Sequence, residues 1–299
     1  MNAIIVADAR RLPIADSTAQ CCITSPPYFG LRDYGVDGQI GLGALDEYID
    51  NLVAVFREVW RVLKDDGTLW LNLGDSYAAN RSHQPPPTNT RNKNGHYGIT
   101  KVPENLKPKD LIGVPWRVAF ALQADGWYLR SEIIWHKPNP MPESVTDRPT
   151  RTHETIFLLS KAPRYFYDAD AIRTTHKSEW WKGIDRRREY MTKKDGRNDG
   201  GVPHGKGNKL GANKRTVWTI ATRPFHGAHF ATFPEKLVEP MIMAGSRSGD
   251  LVLDPFAGAG TVGVVAKRFG RRFIGTELNP GYAMMANERI KATQQPLFA

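Results

Sequence analysis

Asp254-Pro255-Phe256-Ala257-Gly258-Ala259-Gly260-Thr261 follows the apolar run Asp250-Leu251-Val252-Leu253 and leads into an apolar helical stretch from Val262 to Phe269. A further strand, Arg272 to Gly275, then ends in Thr276-Glu277. Strand, glycine-rich turn, helix, strand and acid form a nucleotide-cradling unit. The glycines let the backbone approach a ligand closely, and an acid about 20 residues on accepts ribose hydroxyls. Glu277 stands 19 residues after Gly258, and Gly258, Gly260 and Gly263 satisfy G-x-G-x-x-G. That spacing alone equally describes a dinucleotide-dependent oxidoreductase. Position argues against it, because a dinucleotide fold opens with its glycine turn and here only 22 residues follow Glu277. The sheet is therefore completed by strands earlier in the chain, in a rotated order with the cofactor half last.

Those strands begin at Ala3 to Val6, which ends in Ala7-Asp8-Ala9, and at Ala19 to Thr24, which runs into Ser25-Pro26-Pro27-Tyr28. Each proline fixes φ and removes a backbone N–H, so the turn is stiff and its carbonyls are not all used by a ladder. Ser25 adds a short hydroxyl and Tyr28 a flat ring with a polar tip. Alone, the stretch reads first as a proline loop closing a strand. Beside the glycine turn it suits gripping a flat, amine-bearing ring, since both turns fall at the carboxyl ends of parallel strands, where ligand crevices form.

The intervening pattern predicts an α/β, Rossmann-like, doubly wound and mostly parallel sheet. Phe29 to Gly43, rich in glycine and charge, reads as a mobile surface loop. Leu45, Ile49, Leu52, Val53, Phe56, Val59, Trp60 and Leu63 recur at helical spacing, and Thr68 to Leu73 follows as a strand. Residues 76–108 carry no core pattern and read as a mobile insert. Pro115 to Ala124 is a predicted helix with Trp116, Ala119, Phe120 and Leu122 or Gln123 inward, and Tyr128 to Lys137 a strand. Thr152 to Ser160 with Arg164 to Tyr167 reads as a hairpin closing a sheet edge, and Glu235 to Ala244 as a helix.

Charge is unevenly placed. The formal net charge is +10, and residues 173–215 hold thirteen Lys/Arg against five Asp/Glu, interleaved with Trp180, Trp181 and Tyr190. Basic side chains supply non-specific affinity for nucleic acid, and aromatics add stacking. Arg186, Arg187, Arg188, Lys193, Lys194 and Arg197 are the candidate DNA contacts. No run of about 18 apolar residues is present, so a membrane role is not expected and the cytosol is. Cys21 and Cys22 are adjacent and lie in an apolar run, which points to packing. His226 and His229 lack a third ligand in step, so no metal site is expected.

Together these motifs resemble the S-adenosylmethionine-dependent DNA amino-methyltransferases in their circularly permuted beta class. Thr24 to Tyr28 matches the catalytic motif, Asp254 to Thr261 the cofactor loop, and Ile274 to Glu277 the ribose-binding acid. His229-Phe230-Ala231-Thr232-Phe233-Pro234-Glu235 resembles the segment packing near the methionine portion. Asp8, with Ala9, sits where the family places an acid near the adenine. The resemblance implies a cofactor site of Asp8, Ala9, Phe233, Asp254, Pro255, Phe256, Gly258, Gly260, Thr261 and Glu277. It implies catalysis by Ser25, Pro26, Pro27 and Tyr28, with the Ser25 oxygen and Pro26 carbonyl accepting from the target amine and Tyr28, with Phe29, stacking on a flipped base of double-stranded DNA. Cys21 and Cys22 precede the prolines, unlike a carbon-5 nucleophile, and receive no role. Residues 1–172 form the catalytic half, 173–215 the target-recognition insert and 216–299 the cofactor half. Serine at position 25 is commoner among cytosine-N4 enzymes and Asp or Asn among adenine-N6 enzymes; the two bases stand nearly even. A bacterial or phage setting is expected, while a homo-oligomer, a partner restriction endonuclease and the recognition sequence stay open. A catalytically silent DNA-binding relative is the remaining alternative, and the intact motifs speak against it.

Overall fold

Runs of apolar residues without polar alternation need cover on both faces, and Ala19–Thr24 is buried at all six positions. The computed structural model describes residues 2–31, 35–78, 102–175, 210–222 and 233–294. Within them, eight strands form one sheet: β1 (Asn2–Val6), β2 (Ala19–Thr24), β3 (Leu63–Leu73), β4 (Tyr128–His136), β5 (His153–Ser160), β6 (Val217–Thr219), β7 (Leu251–Asp254) and β8 (Arg272–Glu277). Five helices join them: α1 (Leu45–Val62), α2 (Val114–Ala124), α3 (Glu235–Gly245), α4 (Thr261–Arg268) and α5 (Pro280–Ala292).

The strand order is β1-β8-β7-β2-β3-β5-β4-β6. All neighbours are parallel except where β5 runs antiparallel to β3 and β4. Alternation along β2 sorts the side chains into two cores. Cys22 joins Leu69, Leu71 and Leu73 of β3 under α1 and α2. Cys21 and Ile23 join Trp70 under α3, α4 and α5. Each large apolar side chain so buried contributes about 1.5–3 kcal/mol. Both cysteines are fully buried, as expected of packing residues, and burial holds their thiols above the usual range, Cys21 at about 12.

The two winding directions diverge at the centre. From β7 the chain passes through α4 to β8 on one side; from β2 it passes through α1 to β3 on the other, with the helix on the opposite face. The carboxyl ends of β7 and β2 are thus a topological switch point, where a crevice opens. The rotated order is closed by side chains: Asn287 of α5 accepts from Ile4 N and donates to Ile4 O, both at 2.9 Å, and Asn2 accepts from Phe273 N at 2.8 Å.

Three expectations change. The stretch Thr152 to Ser160 is not one arm of an edge hairpin; β5 lies between β3 and β4, residues 164–167 are not a strand, and the short β6 takes the edge. The reason is that Arg164–Tyr167 turns its backbone to other partners, with Phe166 N donating to Asp66 O. On α2 the inward residues are Val114, Pro115, Val118, Ala119 and Leu122, while Trp116 and Phe120 are exposed at 38% and 55%. The helix is apolar nearly all round, so periodicity could not fix its phase. Within 29–43, the described residues Phe29 and Ile40 are buried, so the segment contributes to the core. The two inserts return to where they leave. Tyr77 bridges Leu111, and Thr174 and Ala212 exchange hydrogen bonds of 2.9 Å, while 79–101 and 176–209 lie outside the described residues. Among the described residues no helix is long and apolar enough to cross a membrane.

Candidate active site

The glycine turn begins with a backbone requirement. Gly258 and Gly260 have φ of +48° and +72°, a region costly for residues with a Cβ. Gly258 N donates to Glu277 Oε2 at 3.0 Å and Asn279 N to Oε1 at 2.9 Å, so the acid at the end of β8 is fixed by the turn after β7. Burial raises the Glu277 pKa despite these bonds. Asp254, 2% exposed, accepts from Thr24 Oγ1 at 2.7 Å and from Phe256 N at 3.0 Å. The first bond ties the ends of β2 and β7 together across the switch point. Burial pushes the Asp254 carboxyl up to about 7, opposed by those two donors and helped by the Glu277 charge.

One cleft gathers most of the anticipated residues: Asp8, Ala9, Ser25, Pro26, Pro27, Tyr28, Phe233, Asp254, Pro255, Phe256, Gly258, Thr261 and Glu277 all line it. Gly260 does not. It sits behind the turn at the start of α4, where an added Cβ would come within 3.0 Å of Ala286 Cβ, so its part is to let α5 pack close. Asp8 is not a free acid: Arg10 Nη2 donates to it at 2.7 Å and Arg10 N at 2.8 Å, which lowers its pKa. The same guanidinium reaches Gly38 O and Asn51 Oδ1, each at 3.0 Å. It pins the segment that brings Leu31, Val36, Gln39 and Ile40 into the cleft wall. These wall residues were missed because glycine and charge masked three apolar side chains in an apparent surface loop.

The proline turn is held from several strands. Tyr48 of α1 donates to Pro27 O at 2.9 Å. The Tyr28 ring lies over Gly74, where an added Cβ would stand 2.5 Å from the ring. The Tyr28 hydroxyl accepts from Ser25 Oγ at 3.3 Å and from Asn72 Nδ2 at 2.9 Å, and donates to Glu154 Oε2 at 2.7 Å. Asn72 Nδ2 also donates to Glu154 Oε2 at 2.9 Å, and Lys137 Nζ to Glu154 Oε1. Burial and the Glu154 charge hold the Tyr28 phenol well above its usual pKa, so it stays a donor. Asn72 Oδ1 is buried with no partner among the described residues.

Tyr48, Asn72, Gly74, Lys137 and Glu154 carried no motif signal. Phe29 is not beside Tyr28 in the cleft; it is 4% exposed and packs on Tyr48 at 5.5 Å, because α1 covers it. Asp75 and His136 are absent from the cleft lining: Asp75 accepts from Ser76 N and Val114 N at 2.9 Å each, at the start of α2. Trp218 packs on Trp70. The candidate DNA contacts Arg186, Arg187, Arg188, Lys193, Lys194 and Arg197, and His226 and His229, lie outside the described residues. Among the described residues no cluster of metal-ligating side chains is present.

A family model described as DNA methylase matches residues 19–288. The chain is 48% identical over 285 residues to the type II methyltransferase M.Cfr9I of Citrobacter freundii, covering 94% of this chain and 84% of that protein. It is 49% identical over 291 residues to the type II methyltransferase M.SmaI of Serratia marcescens, covering 96% and 90%. Among solved structures, the fold is similar to the cytosine-N4-specific PvuII DNA methyltransferase, with a TM-score of 0.65 at 19% identity over 97% of this chain and 86% of that one.

Proposed function

The chain belongs to the DNA methylase family and is a DNA amino-methyltransferase of the N4/N6 class, and from that premise we propose that its cleft joins S-adenosylmethionine to the exocyclic amine of a base flipped out of double-stranded DNA. The observation that supports this reading is the state of the hydrogen-bond acceptors in the proline turn. Pro27 O is taken by Tyr48, the Ser25 hydroxyl hydrogen points to Tyr28, and Pro26 O accepts from no donor among the described residues. Asn72 Nδ2 approaches Ser25 Oγ at 3.4 Å, so the remaining Ser25 Oγ lone pair and Pro26 O are the acceptors the turn offers, in a cleft it shares with Glu277 and Asp254.

An exocyclic amine is a poor nucleophile because its lone pair is delocalised into the ring. Accepting from both N–H groups, Ser25 Oγ and Pro26 O localise that lone pair and aim it. The gain comes from positioning and electrostatics. A stacked and paired amine is out of reach, so the base leaves the duplex and meets the Tyr28 face. The cofactor, when bound, supplies an electrophilic methyl group on a sulfonium. The residues fit it: Glu277 is fixed to accept from ribose hydroxyls, Gly258 permits close backbone approach, and Phe233 and Phe256 give the cleft an apolar wall. Asp8 and Ala9 border the same wall. The segment 173–215 is the target-recognition region in this reading, and the enzyme works in the cytosol on DNA.

Incubation with methyl-labelled S-adenosylmethionine and mixed genomic DNA, followed by digestion to nucleosides, tests the proposal. Label in N4-methylcytidine or N6-methyladenosine deoxynucleosides is expected, and the labelled one identifies the base. Absence of label from every nucleoside would overturn it.

A further inference from the structure

A topological detail brings a carboxylate to the catalytic edge. Because β5 alone runs against its neighbours, its beginning lies level with the carboxyl ends of β3 and β4, with Ile156 opposite Asn72 and Glu154 opposite Trp135. Glu154 enters the site from there, its side chain 16% exposed, and Lys137, just past the end of β4, pairs with it. Both oxygens are engaged: Oε1 by Lys137, and Oε2 by Tyr28 and Asn72. The donors run one way, from Ser25 Oγ to Tyr28 Oη to Glu154 Oε2. A hydroxyl whose hydrogen is drawn toward Tyr28 turns its lone pairs away from it; Asn72 Nδ2 meets one at 3.4 Å, and the other is left for an amine N–H.

We propose that Glu154, held by Lys137, is the positioning residue that fixes the Ser25 hydroxyl through Tyr28, and that this chain carries off the proton the target amine must lose. The inference rests on the amino-methyltransferase reading above. The step balances. As the amine nitrogen bonds to the methyl carbon and the carbon–sulfur bond breaks, the sulfonium charge passes to nitrogen. The N–H bond then breaks toward Ser25 Oγ, the Ser25 proton moves to Tyr28 Oη, and the Tyr28 proton moves to Glu154 Oε2. A sulfonium and a carboxylate become a neutral thioether and a carboxylic acid. Tyr28 is suited to pass a proton without ionising, since its phenol is held well above the usual range. Lys137, paired with Oε1, fixes the carboxylate so that Oε2 faces Tyr28, where a solvated glutamate would be free to turn away.

Glu154→Gln keeps an acceptor for Tyr28 but cannot take a proton, and Tyr28→Phe cuts the chain while leaving Glu154 with Lys137 and Asn72. Single-turnover methyl transfer to DNA, the solvent deuterium isotope effect, KM for DNA and Kd for S-adenosylmethionine are measured for both variants and their double. Each variant is expected to lower the transfer rate by about tenfold to about a hundredfold, the point at which the range for positioned proton transfer begins, with KM and Kd within about twofold of wild type. The double variant is expected to be no slower than the slower single, because the two residues act as a unit. A Glu154→Gln rate within about twofold of wild type, additive losses in the double, or equal loss of cofactor affinity would overturn the inference. Should Glu154→Gln fail to fold, Tyr28→Phe alone decides it by the same rate and affinity criteria. Failure of the wild-type enzyme to label any nucleoside would instead overturn the functional reading itself.

Discussion

The two turns that meet in the cleft are built on opposite plans. At 254–261 the backbone shapes the site: left-handed Gly258 in the cleft wall, its amide donating to Glu277, and that acid fixed 19 residues downstream, with left-handed Gly260 behind it letting α5 pack close. Every part lies within one strand–turn–helix–strand unit. At 25–28 the turn supplies a stiff frame and two acceptors, Ser25 Oγ and Pro26 O, and is set from outside. Tyr48 from α1 holds its backbone at Pro27 O, while Asn72 and Gly74 from the end of β3 and Glu154 from β5, itself paired with Lys137 past the end of β4, set the Tyr28 side chain. A site made from main chain can be local, because the backbone is continuous. A site made from side-chain hydroxyls and carboxylates has to be assembled from strands that are distant in sequence.

If the plans differ as described, lesions in the two turns should separate. Ser25→Ala is expected to give the largest effect, a loss of transfer of about a hundredfold or more, with cofactor affinity kept; titration calorimetry with S-adenosylmethionine beside a rate assay checks this. Comparable weakening of cofactor binding would mean the two halves do not divide the work. Glu277→Ala should do the converse, weakening cofactor binding by tens of fold, the scale of hydrogen bonds to a charged group. Gly74→Ala forces the Tyr28 ring off its seat and should slow transfer about tenfold while costing about 1–3 kcal/mol of stability; denaturant melts together with the rate assay measure both.

A smaller effect sharpens the contrast through pH. Burial pushes the Asp254 carboxyl up to about 7 in the folded chain, well above an ordinary aspartate. A raised pKa means the folded state holds the proton more tightly, so this stabilising contribution is full below about pH 4 and is lost as pH rises through 7. Asp254→Asn keeps an acceptor for Thr24 and lacks the charge. The Tm advantage of this variant over ligand-free wild type should therefore grow from pH 4 to pH 8, reaching a few degrees. A constant gap would mean that folding does not raise the Asp254 carboxyl. The basic insert offers the last test. Neutralising Arg186, Arg187 and Arg188 should flatten the salt dependence of DNA binding by about 2–3 units of slope, and an unchanged slope would remove that segment from the interface.

The same contrast explains what the chain disclosed before its structure was known. The parallel sheet, its rotated order and the pairing of the two turns followed from Asp254 to Glu277 and from Thr24 to Tyr28, since each is a short-range pattern with a backbone cause. Gly260 was assigned to the ligand because spacing cannot tell a glycine facing the cleft from one facing Ala286. Glu154 and Lys137 were invisible because nothing local marks them; the reversal of β5 carries Glu154 to the edge where Lys137 stands just past the end of β4. Trp116 and Phe120 misled because an apolar helix has no clear inner stripe. Ile40 and Val36 hid among glycines.

The pairing of β2 with β7 joins Cys22 to Leu253, residues separated by most of the chain. During synthesis β2 therefore stays an open sheet edge until the last strands emerge, and Asp254 is not there to receive Thr24. Long-range closure of this kind slows folding and leaves apolar edges available to other chains. The prolines at 26 and 27 lie directly at the end of that waiting edge, where residues unable to donate to a ladder discourage an intruding strand. The stiffness that frames the turn at 25–28 in the finished enzyme thus also guards the unfinished one.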